Sequence, residues 1–196
     1  MSQDALRIVI LAGPNGAGKS TAAVRLLRGV RKVDEFVNAD TIARGLSALR
    51  PEGVAFLAGR IMLDRIRSLA KQRVSFAIET TLATRTYAHW LRKMIANSYA
   101  IDLIYLWLSS PELALARVAD RVRRGGHSIP EDVIRRRYLR GLGNFFEIYQ
   151  PLAEQWTVYN NSGTEPVLVA CGQGTMESST CDPTTWQTIQ RLGHGT

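Results

Sequence analysis

Near the start of the chain stands the segment Gly13-Pro14-Asn15-Gly16-Ala17-Gly18-Lys19-Ser20. It fits the pattern G-x-x-x-x-G-K-[ST], which forms a phosphate-binding loop where it follows a strand and opens a helix. Both neighbours are predicted here, because the apolar run Arg7–Ala12 precedes the segment and a helical pattern follows it. The sequence therefore predicts a nucleotide site at the end of the first strand.

The positions of this loop have separate chemical tasks. Glycines let the backbone curl so that its N–H groups point at phosphate oxygens, and the start of the helix adds the positive end of a dipole. We expect Lys19 to reach the β- and γ-phosphates and the Ser20 hydroxyl to bind Mg²⁺. The predicted cofactors are therefore ATP and Mg²⁺. The predicted nucleotide contacts are Gly13, Pro14, Asn15, Gly16, Ala17, Gly18, Lys19, Ser20 and Thr21.

Short apolar runs alternate with longer amphipathic stretches over the first 170 residues, a pattern typical of β–α units around a parallel sheet. We predict an α/β P-loop NTPase fold, with an open parallel sheet of about five strands, flanking helices and an arginine-rich helical lid. Residues 1–170 are expected to form one kinase domain, with the lid at about 117–140. The Gly-, Ser- and Thr-rich residues 171–196 are predicted to form a mobile tail with one weak helix near Trp186.

The net charge of +8 comes mainly from arginine, because only four of the 25 basic residues are lysine. Seven arginines fall between residues 121 and 140. The guanidinium fork suits phosphate oxygens better than the point charge of lysine does. This cluster can grip a polyphosphate, bind nucleic acid or form a solvated helix face. We favour the polyphosphate and do not expect nucleic acid as a partner.

Several classes of protein are excluded or disfavoured by what the sequence lacks. No apolar run is long enough to span a bilayer, and no basic segment precedes an apolar stretch at the N-terminus, so we expect a cytoplasmic protein without a membrane partner. The D-x-x-G and N-K-x-D motifs of GTPases are absent, as is the L-S-G-G-Q signature of ABC subunits. Cys171 and Cys181 lack a partnering histidine pattern and are expected to be reduced thiols.

Two carboxylates follow predicted strands, Asp40 after the second and Glu79 after the third. Strand ends at this edge of an open parallel sheet line the ligand crevice. A kinase needs a carboxylate there to accept the proton of the acceptor hydroxyl, and often another near Mg²⁺. Asp40 can alternatively cap the next helix, and Glu79 can pair with an arginine. Thr80 can bind substrate or stabilise a turn.

Taken with the phosphate loop, Asn38-Ala39-Asp40, Ile78-Glu79-Thr80-Thr81-Leu82 and the segment 124–137 resemble the zeta-toxin family over roughly residues 7–170. The resemblance implies a kinase that phosphorylates a sugar hydroxyl of UDP-N-acetylglucosamine. It implies Asp40 as the general base and Glu79 as an acceptor contact. The founding toxins have G-D-S-F at positions 39–42 and E-G-T at positions 79–81, so the form here is closer to compact chromosomal relatives described as predicted ATPases.

The resemblance also concerns the lid and the partners. It implies that Lys19 and lid arginines neutralise the moving phosphoryl group, with Arg124 the easiest to place and Arg121 or Arg117 as its companion. It makes an antitoxin protein a possible partner. His127 either touches phosphate or is an exposed loop residue, and the Tyr159-Asn160-Asn161-Ser162 stretch is expected to border the nucleotide base.

Two other functions stay open on the sequence alone. The first is a kinase for another acceptor, such as a dinucleotide or a nucleic-acid end, which the basic lid allows. The second is a regulatory ATP-binding module that hydrolyses little and acts through a partner. The nature of the labelled product in a phosphate-transfer assay separates all three functions.

Overall fold

The computed structural model describes residues 6–27, 33–48, 50–126 and 128–195, and these residues contain one sheet. Its strand order is β2-β3-β1-β4-β5-β6-β7. The strands are β1 (Arg7–Ala12), β2 (Glu35–Val37), β3 (Phe76–Thr80), β4 (Ala100–Trp107), β5 (Gln155–Asn160), β6 (Val167–Gln173) and β7 (Met176–Thr180). The helices are α1 (Lys19–Val24), α2 (Ala39–Leu46), α3 (Ala55–Lys71), α4 (Thr86–Ala96), α5 (Pro111–Arg123), α6 (Glu131–Asn144) and α7 (Pro183–His194).

The five strands from β2 to β5 pair in parallel, as the alternation of apolar runs predicts. The α/β P-loop fold is thereby confirmed. The strands β6 and β7 extend the sheet beyond the five predicted parallel strands and pair antiparallel. An antiparallel pair needs only a short connection, and the turn after β5 supplies one.

Apolar side chains cover both faces of the sheet. Along β1, Ile8 and Ile10 join one core while Val9 and Leu11 join the other, because successive side chains of a strand point to opposite faces. All eight residues of β4 are buried, as is typical of a central parallel strand. Residues of α3, α4 and α7 pack on the first face, and residues of α1 and α5 pack on the second. The result is a three-layer sandwich.

The sequence predicts a mobile tail over residues 171–196, but the structure has strands and a helix there. Residues 171–173 complete β6, and β7 and α7 follow. Trp186 and Ile189 of α7 are 3% and 0% exposed, and Trp186 stacks on Trp156 with ring centroids 5.5 Å apart. The small residues of this segment do not indicate mobility, because they allow close packing. A Cβ on Gly172, for example, would lie 2.1 Å from the Met176 carbonyl oxygen. The predicted boundary at residue 170 therefore falls inside a strand.

The predicted lid at about 117–140 comprises the last turns of α5, a turn at residues 124–126 and most of α6. The prediction for His127 lies outside the described residues. No helix in the described part of the chain is long and apolar enough to cross a membrane.

Candidate functional site

The phosphate loop connects β1 to α1 and adopts the backbone conformation that its glycines allow. Gly13 and Gly16 have φ values of 142° and 78°, which side chains strongly disfavour. Space is also lacking, because a Cβ on Gly13 would lie 2.3 Å from the Leu106 carbonyl oxygen, and one on Gly16 would lie 2.8 Å from that of Ala114. The loop thus presses against β4 and α5.

The remaining loop residues lie where the motif predicts them. Ala17 is fully buried, and its N–H donates to the Pro14 carbonyl over 3.2 Å, which closes the turn. Asn15 is 7% exposed, and among the described residues its Oδ1 has no hydrogen-bond partner. Rotation of this amide would present its NH₂ group to a phosphate oxygen. Thr21 is exposed at the start of α1. The loop therefore fits a bound polyphosphate.

Lys19 is buried, with 6% of its surface exposed, and its ammonium is held at the loop. Its Nζ donates to the carbonyl oxygens of Gly13 and Pro14 at 3.0 and 2.9 Å and lies 3.7 Å from Glu79 Oε1. Burial lowers the pKa of Lys19 from its ordinary value, while the carboxylates of Glu79 and Asp40 partly oppose that shift. The site thus holds a desolvated cation beside two carboxylates.

Glu79 and Ser20 form a second cluster, at the end of β3. The Ser20 hydroxyl donates to Glu79 Oε2 over 2.8 Å, and the Asn38 amide donates to the same oxygen over 2.6 Å. The hydroxyl and the carboxylate are oxygen ligands of the kind that Mg²⁺ prefers when phosphates and water complete its shell. No group of three or more His, Cys, Asp or Glu exists in the described ranges to hold a metal alone.

Among the described residues, Glu79 forms its ion pair with Lys19, whereas the alternative proposed from sequence named an arginine as the partner. The structure places Glu79 against the predicted magnesium ligand, and an acceptor contact for it stays a prediction. Thr80 Oγ1 accepts a hydrogen bond from the Leu82 N–H at 3.1 Å, as expected if it stabilises the turn after β3.

Asn38 is the site residue that the sequence analysis did not assign. Its Oδ1 caps α2 by accepting hydrogen bonds from the N–H groups of Asp40 and Thr41, at 2.7 and 3.2 Å. The alternative role of Asp40 as a helix cap is therefore wrong, because Asn38 fills it. An asparagine just before a helix was the available signal. Asp40 occupies the first turn of α2, within electrostatic reach of Lys19.

A cavity of about 190 Å³ opens beside α2. Asn38, Thr41 and Ile42 line one side of it. Glu35 and Arg65 also line it, and they form an ion pair with a distance of 2.8 Å between Arg65 Nη2 and Glu35 Oε2. Asn38 lines this cavity and also donates to Glu79 of the site.

The three arginines predicted for the lid occupy different positions in the structure. The guanidinium of Arg117 donates to three main-chain carbonyls of the loop after β5. Arg121 is half-buried, and its charge contributes to lowering the pKa of Lys19, so the two cations lie near each other. Arg124 follows the last residue of α5 and is exposed. The structure therefore brings Arg121 toward Lys19 and leaves Arg124 exposed, and a transition-state role for either arginine stays a prediction.

A buried lysine in a glycine loop, a serine–glutamate pair at the neighbouring strand end and an arginine helix above them define a P-loop nucleotide-binding domain with a kinase-like fold. Residues 8–145 match the family model AAA_33, described as an AAA domain. The chain belongs to this family.

Relatives and solved structures agree with the fold. An uncharacterized protein of Haemophilus influenzae (strain ATCC 51907 / DSM 11121 / KW20 / Rd) is 30% identical over 134 residues, which covers 67% of this chain and 92% of that protein. The AvrRxo1-ORF1:AvrRxo1-ORF2 complex with sulphate ions matches with a TM-score of 0.71 at 14% identity over 96% of this chain. This chain spans 64% of the matched AvrRxo1 chain.

The same AvrRxo1 complex with ATP matches with a TM-score of 0.69 at 15% identity, over 96% of this chain and 64% of that chain. A structure of the PezAT chromosomal toxin-antitoxin system of Streptococcus pneumoniae matches with a TM-score of 0.65 at 15% identity, over 100% of this chain and 80% of that chain. At such low identity these likenesses show a shared fold.

Proposed function

We propose that the protein is an ATP-dependent phosphotransferase that passes the γ-phosphate to a hydroxyl of a small molecule. The observation that carries this proposal is the convergence of three groups at the sheet edge. Lys19 lies 3.7 Å from Glu79, Ser20 donates to Glu79 over 2.8 Å, and Asp40 is near enough to affect the pKa of Lys19. A cation for the phosphates, oxygen ligands for Mg²⁺ and a carboxylate for the acceptor are the parts that phosphoryl transfer needs.

Each residue of the site has a separate task in the proposed reaction. Lys19 and the backbone N–H groups of the phosphate loop bind the β- and γ-phosphates, and Ser20 with Glu79 would hold Mg²⁺, which would supply positive charge against the phosphates. Asp40 accepts the proton of the acceptor hydroxyl as that oxygen bonds to the γ-phosphorus and the bond to the departing ADP oxygen breaks. Arg121 stabilises the negative charge that develops between them.

We further propose a nucleotide sugar such as UDP-N-acetylglucosamine as the acceptor and the cytoplasm as the location, since ATP and nucleotide sugars are found together there. The resemblance of the Asn38-Ala39-Asp40 and Ile78-Glu79-Thr80-Thr81-Leu82 segments to zeta toxins supports this acceptor. The cavity beside α2 offers room for part of it. The shared fold with proteins described as toxin-antitoxin systems supports an antitoxin as a partner protein.

The proposal is tested by incubating the protein with γ-labelled ATP, Mg²⁺ and UDP-N-acetylglucosamine, and in parallel with an oligonucleotide that carries a free 5′-hydroxyl. Label on the nucleotide sugar is expected, with Asp40→Asn as the inactive control. Label on the oligonucleotide alone would contradict the nucleotide sugar as the acceptor and favour a kinase that acts on nucleic-acid ends. Bound ATP without any transfer, to either acceptor, would contradict catalysis and favour the regulatory module.

A further inference from the structure

The segment 161–163, directly after β5, lies against the phosphate loop. The side-chain amide of Asn161 donates to the Ala17 carbonyl oxygen over 2.7 Å, and a Cβ on Gly18 would lie 2.9 Å from the same amide nitrogen. The N–H of Asn161 donates to the Trp107 carbonyl at the end of β4 over 2.9 Å. Asn161 therefore links the phosphate loop to the neighbouring central strand.

A second residue holds this segment from the other side. The guanidinium of Arg117 donates to the carbonyl oxygens of Asn161, Ser162 and Gly163, at 2.7, 2.8 and 3.0 Å. Three acceptors in fixed directions match the rigid fork of arginine, and the single ammonium of lysine cannot reach all of them at once. The Arg117 Cβ would also lie 3.2 Å from a Cβ on Gly16, so α5 itself packs on the phosphate loop.

We propose that Arg117 and Asn161 form a strut that positions the phosphate loop for nucleotide binding. The strut also fixes the distance between the phosphate loop and α5, and Arg121 lies one turn after Arg117 on that helix. Arg117 is then a positioning residue, and its charge does not act on the phosphates. The inference rests on the proposed function in one respect, namely that the loop binds ATP.

The strut crosses the boundary of the family match. Arg117 lies within residues 8–145, whereas Asn161 and the carbonyls that Arg117 binds lie beyond residue 145. The phosphate loop of this protein is therefore supported by a segment outside the matched domain. A chain ending after residue 145 would keep every residue of the G-x-x-x-x-G-K-[ST] motif and lose one support of the loop.

Isothermal titration calorimetry of ATP with Mg²⁺ into the full chain tests the strut. Arg117→Ala and Asn161→Ala are each expected to weaken ATP binding by about tenfold, the scale of one lost hydrogen bond to a charged or fixed group. Because both residues act through the same segment, the double variant should lose about as much as one single variant, and less than the product of the two losses.

Arg117→Lys tests whether Arg117 acts through its hydrogen bonds to the three carbonyls or through its positive charge. It is expected to bind ATP as weakly as Arg117→Ala, because one ammonium cannot replace the three-carbonyl contact. The matched control is Arg123→Ala, which removes an exposed arginine of the same helix that pairs with Asp120. This control is expected to bind ATP like the wild type, since the Arg123 side chain is exposed and pairs within its own helix.

Three results would overturn the strut: single variants that bind ATP like the wild type, a double variant whose loss equals the product of the single losses, or recovery by Arg117→Lys. If Arg117→Ala does not fold, Asn161→Leu decides the question, because it keeps the approximate size of the side chain and adds no charge but cannot donate to Ala17. Its ATP affinity should fall while its melting temperature stays near that of the wild type. Failure of the wild type itself to bind ATP would instead contradict the proposed function.

Discussion

The phosphate loop and the arginines in and just after α5 are neighbours in the structure, but they are built in different ways. The loop acts through backbone groups of consecutive residues whose shape is set by glycines at positive φ. The arginines act through long side chains whose direction depends on what each one meets. Arg117 meets three carbonyls, Arg121 turns toward Lys19, and Arg124 faces solvent.

This contrast shows which kind of site a sequence specifies. The geometry of a motif made of consecutive backbone positions is determined by its own residues, because the steric limits on φ and ψ are local. A row of arginines on a helix does not, because segments distant in the sequence decide which side chain reaches the ligand. Variants that remove single arginines therefore test the part of the site that the motif does not determine.

The largest difference is expected between two arginines of the lid. Arg121→Ala should lower γ-phosphate transfer by about 10³-fold or more, because it removes a cation that stabilises the charge developing in transfer. ATP affinity should fall much less, since that charge develops mainly in the transition state. Turnover and the dissociation constant for ATP, measured on the same preparations, check the split.

The matched variant is Arg124→Ala, which removes an exposed arginine three residues further along. Its turnover is expected to stay within about threefold of the wild type, the scale of a surface change. A large loss in Arg124→Ala together with a small loss in Arg121→Ala would reverse the assignment and show that the lid closes with Arg124 over the phosphates.

The C-terminal segment offers a second test of contacts between distant residues. Trp186→Ala should lower the free energy of unfolding by about 3–5 kcal/mol, because it removes a buried ring packed on Trp156 and Phe146. Denaturant unfolding followed by fluorescence of the remaining tryptophans measures the loss. ATP affinity of the folded variant should be unchanged, since α7 packs on the face of the sheet opposite α1 and α5. A loss of unfolding free energy below about 1 kcal/mol would contradict this packing and support the predicted mobile tail over residues 171–196.

Asp40→Asn tests the acceptor side of the site. Transfer to the acceptor is expected to fall by about 10²-fold or more, because asparagine cannot accept the hydroxyl proton. ATP binding and the melting temperature should hardly change, since Asn38 and not Asp40 caps α2. The control is Asn38→Ala, which should lower stability by about 1 kcal/mol through loss of the cap. Unchanged turnover in Asp40→Asn would remove it from the catalytic residues.

The smallest expected effect concerns the proton on Lys19. Burial lowers the pKa of Lys19 from its ordinary value of 10.5, and the phosphates of ATP should raise the pKa again by placing negative charge beside the ammonium. Between the two pKa values the free protein binds fewer protons, so ATP binding should take up a fraction of a proton and more at alkaline than at neutral pH. Calorimetry in buffers of different ionisation enthalpy measures this uptake. Proton release on binding would contradict the sign.

The sequence predicts the sheet and the phosphate loop well because both rest on local patterns. Apolar runs of strand length, the glycine motif and the carboxylates at the ends of these runs were enough to place Lys19, Ser20, Asp40 and Glu79 at one edge.

Three features were not predicted, and each depends on contacts between distant segments. Asn38 joins α2 to Glu79, Arg117 binds carbonyls beyond residue 160, and α7 is held by Trp156 and Phe146. The Gly-, Ser- and Thr-rich C-terminal segment carried too weak an apolar period to show that it packs on the core.

The central claim is that this site transfers the γ-phosphate of ATP to a small molecule. The most direct test is a single-turnover reaction with γ-labelled ATP, Mg²⁺ and a small-molecule extract of bacterial cells, in which Lys19→Ala is the control. The wild type is expected to move label onto a small molecule only when Mg²⁺ is present, and Lys19→Ala should move none. Label that stays in bound ATP, or that appears only as inorganic phosphate, would contradict the claim.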